Sequence, residues 1–319
     1  MAVVVRPLAE SELPAADRIF RHAFGTFVGL PEPERFGGDA DYVHTRWRAR
    51  PECALAAEVD GALAGSNFAV AWGTVGTFGP LTVRPDCWDR GVARALLAPT
   101  MALFARHGVT HAGIFTFAQS PKHVALYGKL GFWPRFLTAI MARELTRARA
   151  HDPAVPARAR GWERFSAVPA GERAACLARC RGVTATLYDG LDLGSEIAAV
   201  AEQALGDTVL LGGGARGFAV CHVGAGSEAG SGTCYVKFGA VPVGPRAAED
   251  FGALVDACES FAAAAGARRV VAGMSLARER AHRLLAARGY RTEIQGVAMH
   301  RPNEAGYSRP EVFAIDDWR

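Results

Sequence analysis

The sequence predicts an α/β chain, a mixed α+β sheet carrying helices, laid down twice in tandem. Two observations predict it. Strand-like and helix-like segments alternate through the first half, and the same succession returns in the second at a near-constant offset. Val243-Gly244-Pro245 lies 160 residues after Val83-Arg84-Pro85, and Gly289-Tyr290 lies 158 residues after Gly131-Phe132. Val297-Ala298-Met299-His300-Arg301 echoes Ile140-Met141-Ala142-Arg143-Glu144 at nearly the same spacing. The expected domains are residues 1–150 and 151–319.

Each element of the first half has a local reason. Val3 to Arg6 is apolar and extended, and Glu10 to Ala23 carries a helical period. Asp39 to Arg48 reads as a second helix, with Asp39 or Asp41 as its cap. Cys53–Val59 and Ala62–Trp72 flank Asp60-Gly61, a dipeptide suited to a tight hairpin turn. Thr74 to Val83 is expected to be one strand. Gly91 to His107 is a helix stopped by Gly108. His111 to Phe117 is a strand, Pro121 to Leu130 a helix, and Leu137 to Glu144 the last strand. Residues 146–161, rich in Arg, Ala and Pro, read as a linker. In the second half a long Ala-rich helix runs from Ala247 to Ala265, Arg269 to Met274 is a strand, and Ala281 to Arg288 is a helix. The tail from Val312 is apolar enough to dock as a strand, near an acceptor pocket.

Composition narrows the function. Half of the 319 residues are hydrophobic, so a large core is expected and wholesale disorder is not. The apolar runs fall short of a membrane span, and the N-terminus has no signal-peptide pattern. Seven scattered cysteines without a Cys-x-x-Cys pair suit reduced thiols and a cytoplasmic location. Cys176 and Cys180 read as one buried helix face. The net charge of +4 comes with no basic stripe, which argues against nucleic acid and suits a small anionic ligand. His107 and His111 straddle a helix end, so a metal site is not expected. Gly212-Gly213-Gly214 and Gly224-x-Gly226 read as loops rather than phosphate cradles.

Two motifs carry chemistry. In the stretch Pro80 to Arg94 an apolar extended run ends at Pro85, and Gly91 then opens a helix. A helix start at glycine exposes N–H groups at the positive end of the helix dipole, a site for phosphate. Gly91 lets a diphosphate approach the backbone, Ala93 keeps the first turn slim, and Arg90 or Arg94 can add charge-assisted bonds. The second motif, Ser120-x-x-His123-x-x-Leu126-Tyr127-x-Lys129-x-Gly131-Phe132, places a tyrosine four residues before a glycine-aromatic helix end.

On these residues the segment 1–145 resembles a GNAT-superfamily N-acetyltransferase domain, and 160–303 resembles a second, degenerate copy. The resemblance implies two tandem GNAT-like domains. It implies that Leu81, Thr82 and Val83 pair by backbone with the pantetheine arm of acetyl-CoA. The family's diphosphate loop reads Gln/Arg-x-x-Gly-x-Gly/Ala; here it is Trp88-Asp89-Arg90-Gly91-Val92-Ala93, with Trp88 a departure. Asp89, Arg90, Gly91, Val92, Ala93 and Arg94 are thus carried over as the diphosphate site. Ser120, where the family has Asn, is carried over as a helix cap and carrier contact. Tyr127 matches the residue that protonates the departing thiolate; a phenol near pKa ~10 can serve a thiol near ~8.5. His123 is expected on the helix surface. Tyr42, His44, Trp47 and Arg48 sit where the family binds the acceptor, and equally suit a half-buried helix.

The implied reaction is direct transfer from acetyl-CoA to the primary amine of a small molecule in a ternary complex. Backbone N–H groups near Gly79–Leu81 would polarise the carbonyl. Thr74 to Val83 holds no carboxylate, so a water relay is expected, anchored by Glu58, Ser66, Asn67 or Thr77. Leu285 stands where Tyr127 stands in the first copy, and Glu249 and Asp250 would repel diphosphate, so the second copy is expected to be structural. No metal is expected, and a homodimer is compatible. The alternatives are acetylation of a protein α-amino group or lysine, and a non-catalytic acyl-CoA-binding protein.

Overall fold

The computed structural model describes residues 3–145 and 161–319. The first half runs β1 (Val3–Pro7), α1 (Leu13–Phe27), α2 (Val43–Ala49), β2 (Ala54–Val59), β3 (Ala62–Trp72), β4 (Val75–Phe78), β5 (Thr82–Val83), α3 (Val92–Arg106), β6 (His111–Thr116), α4 (Pro121–Gly128) and β7 (Trp133–Glu144). The second repeats the order: β8 (Trp162–Arg164), α5 (Arg173–Leu187), α6 (Gly194–Glu202), β9 (Gly206–Leu211), β10 (Gly217–Gly224), β11 (Gly230–Ala240), α7 (Ala247–Ala264), β12 (Arg269–Ser275), α8 (Glu279–Ala287) and β13 (Arg291–Arg301). A short β14 (Ala314–Ile315) follows. The linker expected at 146–161 lies, apart from Gly161, outside the described residues.

Apolar spacing explains the helices. α1 buries Leu13, Ala16, Phe20 and Ala23, three or four residues apart, and Pro14 suits its first turn. α3 buries Val92, Leu96, Leu97, Thr100, Leu103 and Phe104 on one face. α2 begins at Val43, four residues later than expected, because Asp41 accepts the His44 N–H from outside the helix at 2.9 Å.

The strands form one continuous sheet in the order β1-β2-β3-β4-β6-β13-β7-β12-β11-β10-β9-β8. Its centre is an exchange. β13 of the second half lies between β6 and β7 of the first, and β7 lies between β13 and β12. Each half therefore completes its sheet with the other's last strand. Two pairings are parallel, β4 with β6 and β11 with β12.

The expected single strand Thr74–Val83 is two strands. β4 stops at Phe78 and β5 starts at Thr82, because Pro80 has no N–H to continue a ladder. β4 pairs with β6 from Val75 to Thr77 and no further, and β5 leaves β6 altogether to pair with β3. This break opens a wedge in the sheet. β11, its counterpart, runs unbroken for 11 residues.

The tail docks, as expected, as a strand. β14 pairs antiparallel with Gly239 and Ala240 of β11, and Asp316 N–H bonds the Gly273 carbonyl of β12. It then crosses to the first half. The Trp318 carbonyl accepts from the Phe115 N–H at 3.1 Å and from Thr77 Oγ1 at 3.2 Å. The indole lies on Gly113, where any Cβ would overlap the ring. Trp318 itself has φ of 61°, a left-handed conformation unusual for tryptophan.

Candidate active site

The wedge beside β5 opens into a cleft of about 560 Å³. The N-termini of α3 and α4 border it, and Ala23, Phe24 and Phe27 of α1 form a further wall. Leu81, Thr82, Val83, Asp89, Gly91, Val92, Ala93, Arg94 and Tyr127 all line it. The sequence motifs, more than thirty residues apart, thus meet in one cavity.

Gly91 caps α3 with φ of +81°, a left-handed turn that glycine adopts without strain. Open space lies where its Cβ would be, and no acidic side chain occupies the first turn. The N–H groups of that turn face the cleft unopposed by negative charge. Arg90 and Arg94 are exposed beside it. Asp89 makes a 2.7 Å ion pair with Lys122 of α4, so its charge is balanced.

β5 presents an edge to the cavity. Arg84 N–H bonds the Ala64 carbonyl at 2.8 Å. Antiparallel alternation then puts Thr82 in a bonded pair with Ser66 and turns the N–H and C=O of Val83 the other way. Trp88 changes this edge: its indole N–H donates to the Val83 carbonyl at 2.8 Å, taking that acceptor. Leu81 N–H makes no hydrogen bond among the described residues.

Tyr127 comes from the cleft-facing side of α4. Its ring packs edge-on against Phe78, centroids 5.8 Å apart, and only 6% of the residue is exposed. Burial pushes the phenol well above its ordinary pKa, which keeps it protonated. Ser120 caps α4 by accepting the His123 N–H and is buried beside the cleft rather than lining it.

Several expectations are corrected. His123 is not on the surface; it is half-buried in the cleft wall, its ring tilted against that of Phe27 with centroids 4.8 Å apart. Burial lowers its pKa, and the neighbouring Lys122 adds to the effect. None of the four water-relay anchors lines the cleft. Glu58 pairs with Arg6, Ser66 with Thr82, Asn67 with Thr100, and Thr77 with the Trp318 carbonyl. Tyr42, His44, Trp47 and Arg48 also lie outside it; Trp47 donates to the Leu8 carbonyl and His44 pairs with Asp41. The sequence reading missed Phe24, Phe27 and Phe117, whose helical and strand spacing reads as ordinary core.

In the second half the position of Tyr127 is taken by a core residue. Leu285 is fully buried in a cluster with Phe251, Val241, Phe313 and Ile315, the last two brought by the tail.

Residues 17–132 match the acetyltransferase (GNAT) family. Over that stretch the chain is similar to a GNAT acetyltransferase domain. The matched stretch contains every residue lining the cleft, and the chemistry of the family is acyl transfer. No curated protein matches the sequence. Among solved structures, a candidate acetyltransferase from Pyrococcus horikoshii is similar in fold, with a TM-score of 0.67 at 14% identity, covering 99% of this chain and 95% of that one. A GCN5-related N-acetyltransferase from Sphaerobacter thermophilus gives 0.58 at 14% identity, over 94% and 95%. One from Anabaena variabilis gives 0.53 at 13%, over 97% and 75%. At these identities the likeness is one of fold, and it spans both halves. Among the described residues of both halves, no group of three or more His, Cys, Asp or Glu is placed to hold a metal ion. No described helix is long and apolar enough to cross a membrane.

Proposed function

We propose that the first half transfers an acetyl group from acetyl-CoA to the primary amine of a small molecule, by direct attack in a ternary complex. The observation that carries this reading is the convergence of the bare α3 N-terminus, the β5 edge and Tyr127 on one cavity. The fixed N–H groups at Val92, Ala93 and Arg94 suit a diphosphate, with Arg90 and Arg94 as outer charges. Leu81 and Val83 offer backbone groups to the pantetheine arm. Leu81 N–H, without another partner, is the donor for the thioester oxygen. Tyr127 gives its proton to the departing sulfur; burial weakens the phenol as an acid, and desolvation of the thiolate in the same cleft raises its basicity in turn.

The incoming amine must arrive neutral. Asp89 is the only carboxylate among the lining residues and is neutralised by Lys122, which favours proton loss to solvent water. The aromatic wall of Phe24, Phe27 and Phe117 favours a small, partly apolar amine. We read 1–150 as the active domain and 151–319 as a degenerate copy whose unbroken β11 is flanked by the chain's own tail.

The test is release of CoA thiol from acetyl-CoA across a panel of small amines and peptide N-termini. Wild type should turn over at least one small amine. Tyr127→Phe should lower turnover by roughly 10²- to 10⁴-fold while acetyl-CoA affinity stays within about threefold. Equal turnover in the two proteins removes Tyr127 from the chemistry. Activity on peptides alone transfers the function to protein acetylation, and binding without turnover on any amine leaves an acyl-CoA-binding protein.

A further inference from the structure

Arg46 of α2 is a buried cation outside the cleft, only 6% exposed. It bonds three separated parts of the chain at once. Nη1 donates to the Gly79 carbonyl at 2.7 Å. Nε and Nη2 donate to the two carboxylate oxygens of Glu228 at 2.9 and 3.0 Å, a bidentate pair across the two halves. Nη2 also donates to the Arg319 carbonyl in the tail at 3.0 Å. Glu228 is held in turn by Lys237 at 2.8 Å, and Lys237 by Glu196 at 2.8 Å.

Such a network is a poor source of net stability, because desolvating four charges offsets much of their attraction. Its geometry has a better use. Gly79 is the last residue before Pro80, at the break that creates the wedge. Its N–H bonds the Phe68 carbonyl at 2.8 Å, and its C=O is taken by Arg46. With both groups fixed, the direction of the chain into Leu81 is fixed too. A fixed donor stabilises developing charge without reorganising at the moment of reaction.

We propose that Arg46 is a positioning residue: held by Glu228 of the second half and by the tail, it locks the Gly79 carbonyl and so aims the Leu81 N–H at the thioester oxygen. This rests on the acyl-transfer reading above. It gives the second half a role in the chemistry of the first, and Arg46 itself touches neither carrier nor acceptor.

The probe is acetyl-CoA labelled with ¹³C at the thioester carbonyl, followed by isotope-edited infrared spectroscopy of the bound form, with affinity measured in parallel. No acceptor is needed. In wild type the bound carbonyl stretch should fall below that of free acetyl-CoA. Arg46→Lys keeps a positive charge facing Glu228 but is a point donor that cannot span Glu228 and Gly79 together. It should lose about half or more of the shift, with affinity within about threefold of wild type, because one donor is misaimed while the phosphate grip is untouched. The charge-balanced double variant Arg46→Met/Glu228→Gln should behave alike, and covers the case in which the lysine protein does not fold. Arg143→Gln/Glu259→Gln removes a different, partly buried ion pair, at 2.6 Å between β7 and α7, and should keep the full shift. A wild-type shift in both Arg46 variants, or an equal loss in the Arg143 control, overturns the proposal. Acetyl-CoA that binds wild type with no carbonyl shift overturns it as well. Failure of wild type to bind acetyl-CoA instead sinks the acyl-transfer reading, and the proposal with it.

Discussion

The two halves share an order of elements and differ at one strand. In the first, Gly79-Pro80 splits the strand, β5 turns away from β6, and a cleft opens between them. In the second, β11 continues without a break, and β14 seals its edge. Phe313 and Ile315 join the same buried apolar cluster as Leu285, whereas the first half has a cavity beside Tyr127. One scaffold thus holds either an open cleft or a packed core, depending on whether a proline interrupts a ladder and whether a tail follows. The charges agree: α3 starts with no acidic residue, whereas α7 starts with Glu249 and Asp250.

The comparison breaks most directly at Phe313. Its ring packs on Phe251 at 5.6 Å and is 2% exposed. Phe313→Ala should cost about 3–5 kcal/mol of stability by cavity formation, read from urea unfolding. Binding of acetyl-CoA should remain at one per chain with unchanged affinity. A second binding event in this variant means that the second half is a masked site rather than a degenerate one.

A smaller effect concerns the seam. His111 of β6 and His300 of β13 meet across the exchanged strands, Nε2 to Nδ1 at 3.2 Å, with Trp318 beside both. Burial lowers their pKa values, to about 4 for His111 and about 3 for His300. The unfolded chain takes up these protons near 6.5 and the folded chain does not. Stability therefore falls as pH drops below that value, and goes on falling until the folded values are reached. The slope should approach about 1.4 kcal/mol per pH unit for each histidine. Urea midpoints between about pH 7.5 and about pH 5 measure it, and His300→Phe should flatten the curve. An unchanged slope in that variant places the acid sensitivity elsewhere.

Much of the cleft was legible because its signals are local. Gly91 at a helix start, and Tyr127 four residues before Gly131, announce themselves by spacing alone. Even the duplication was readable from Val-x-Pro and Gly-aromatic landmarks. The strand break was legible in principle, since Pro80 cannot donate to a ladder, but the apolar run from Phe78 to Val83 masked it. The strand exchange was not legible. β7 and β13 have similar patterns, and each can pair antiparallel with either neighbour, so only the three-dimensional closure decides. Arg46 and Glu228 lie 182 residues apart on separate halves, and nothing in a helix pattern distinguishes a buried arginine from its exposed neighbour Arg48.

The central claim is that one half grips the acyl carrier through the front of α3. Calorimetric titration of acetyl-CoA into wild type and Gly91→Asp tests it most directly. The aspartate sets a negative charge against the diphosphate but must also take the left-handed φ of +81°; Gly91→Asn carries the same strain without the charge and is the reference. The account predicts one site per chain in wild type, and affinity weakened at least about tenfold in Gly91→Asp relative to Gly91→Asn, the two variants losing similar stability to strain at this turn. No binding in wild type, or binding that survives Gly91→Asp intact, would contradict it.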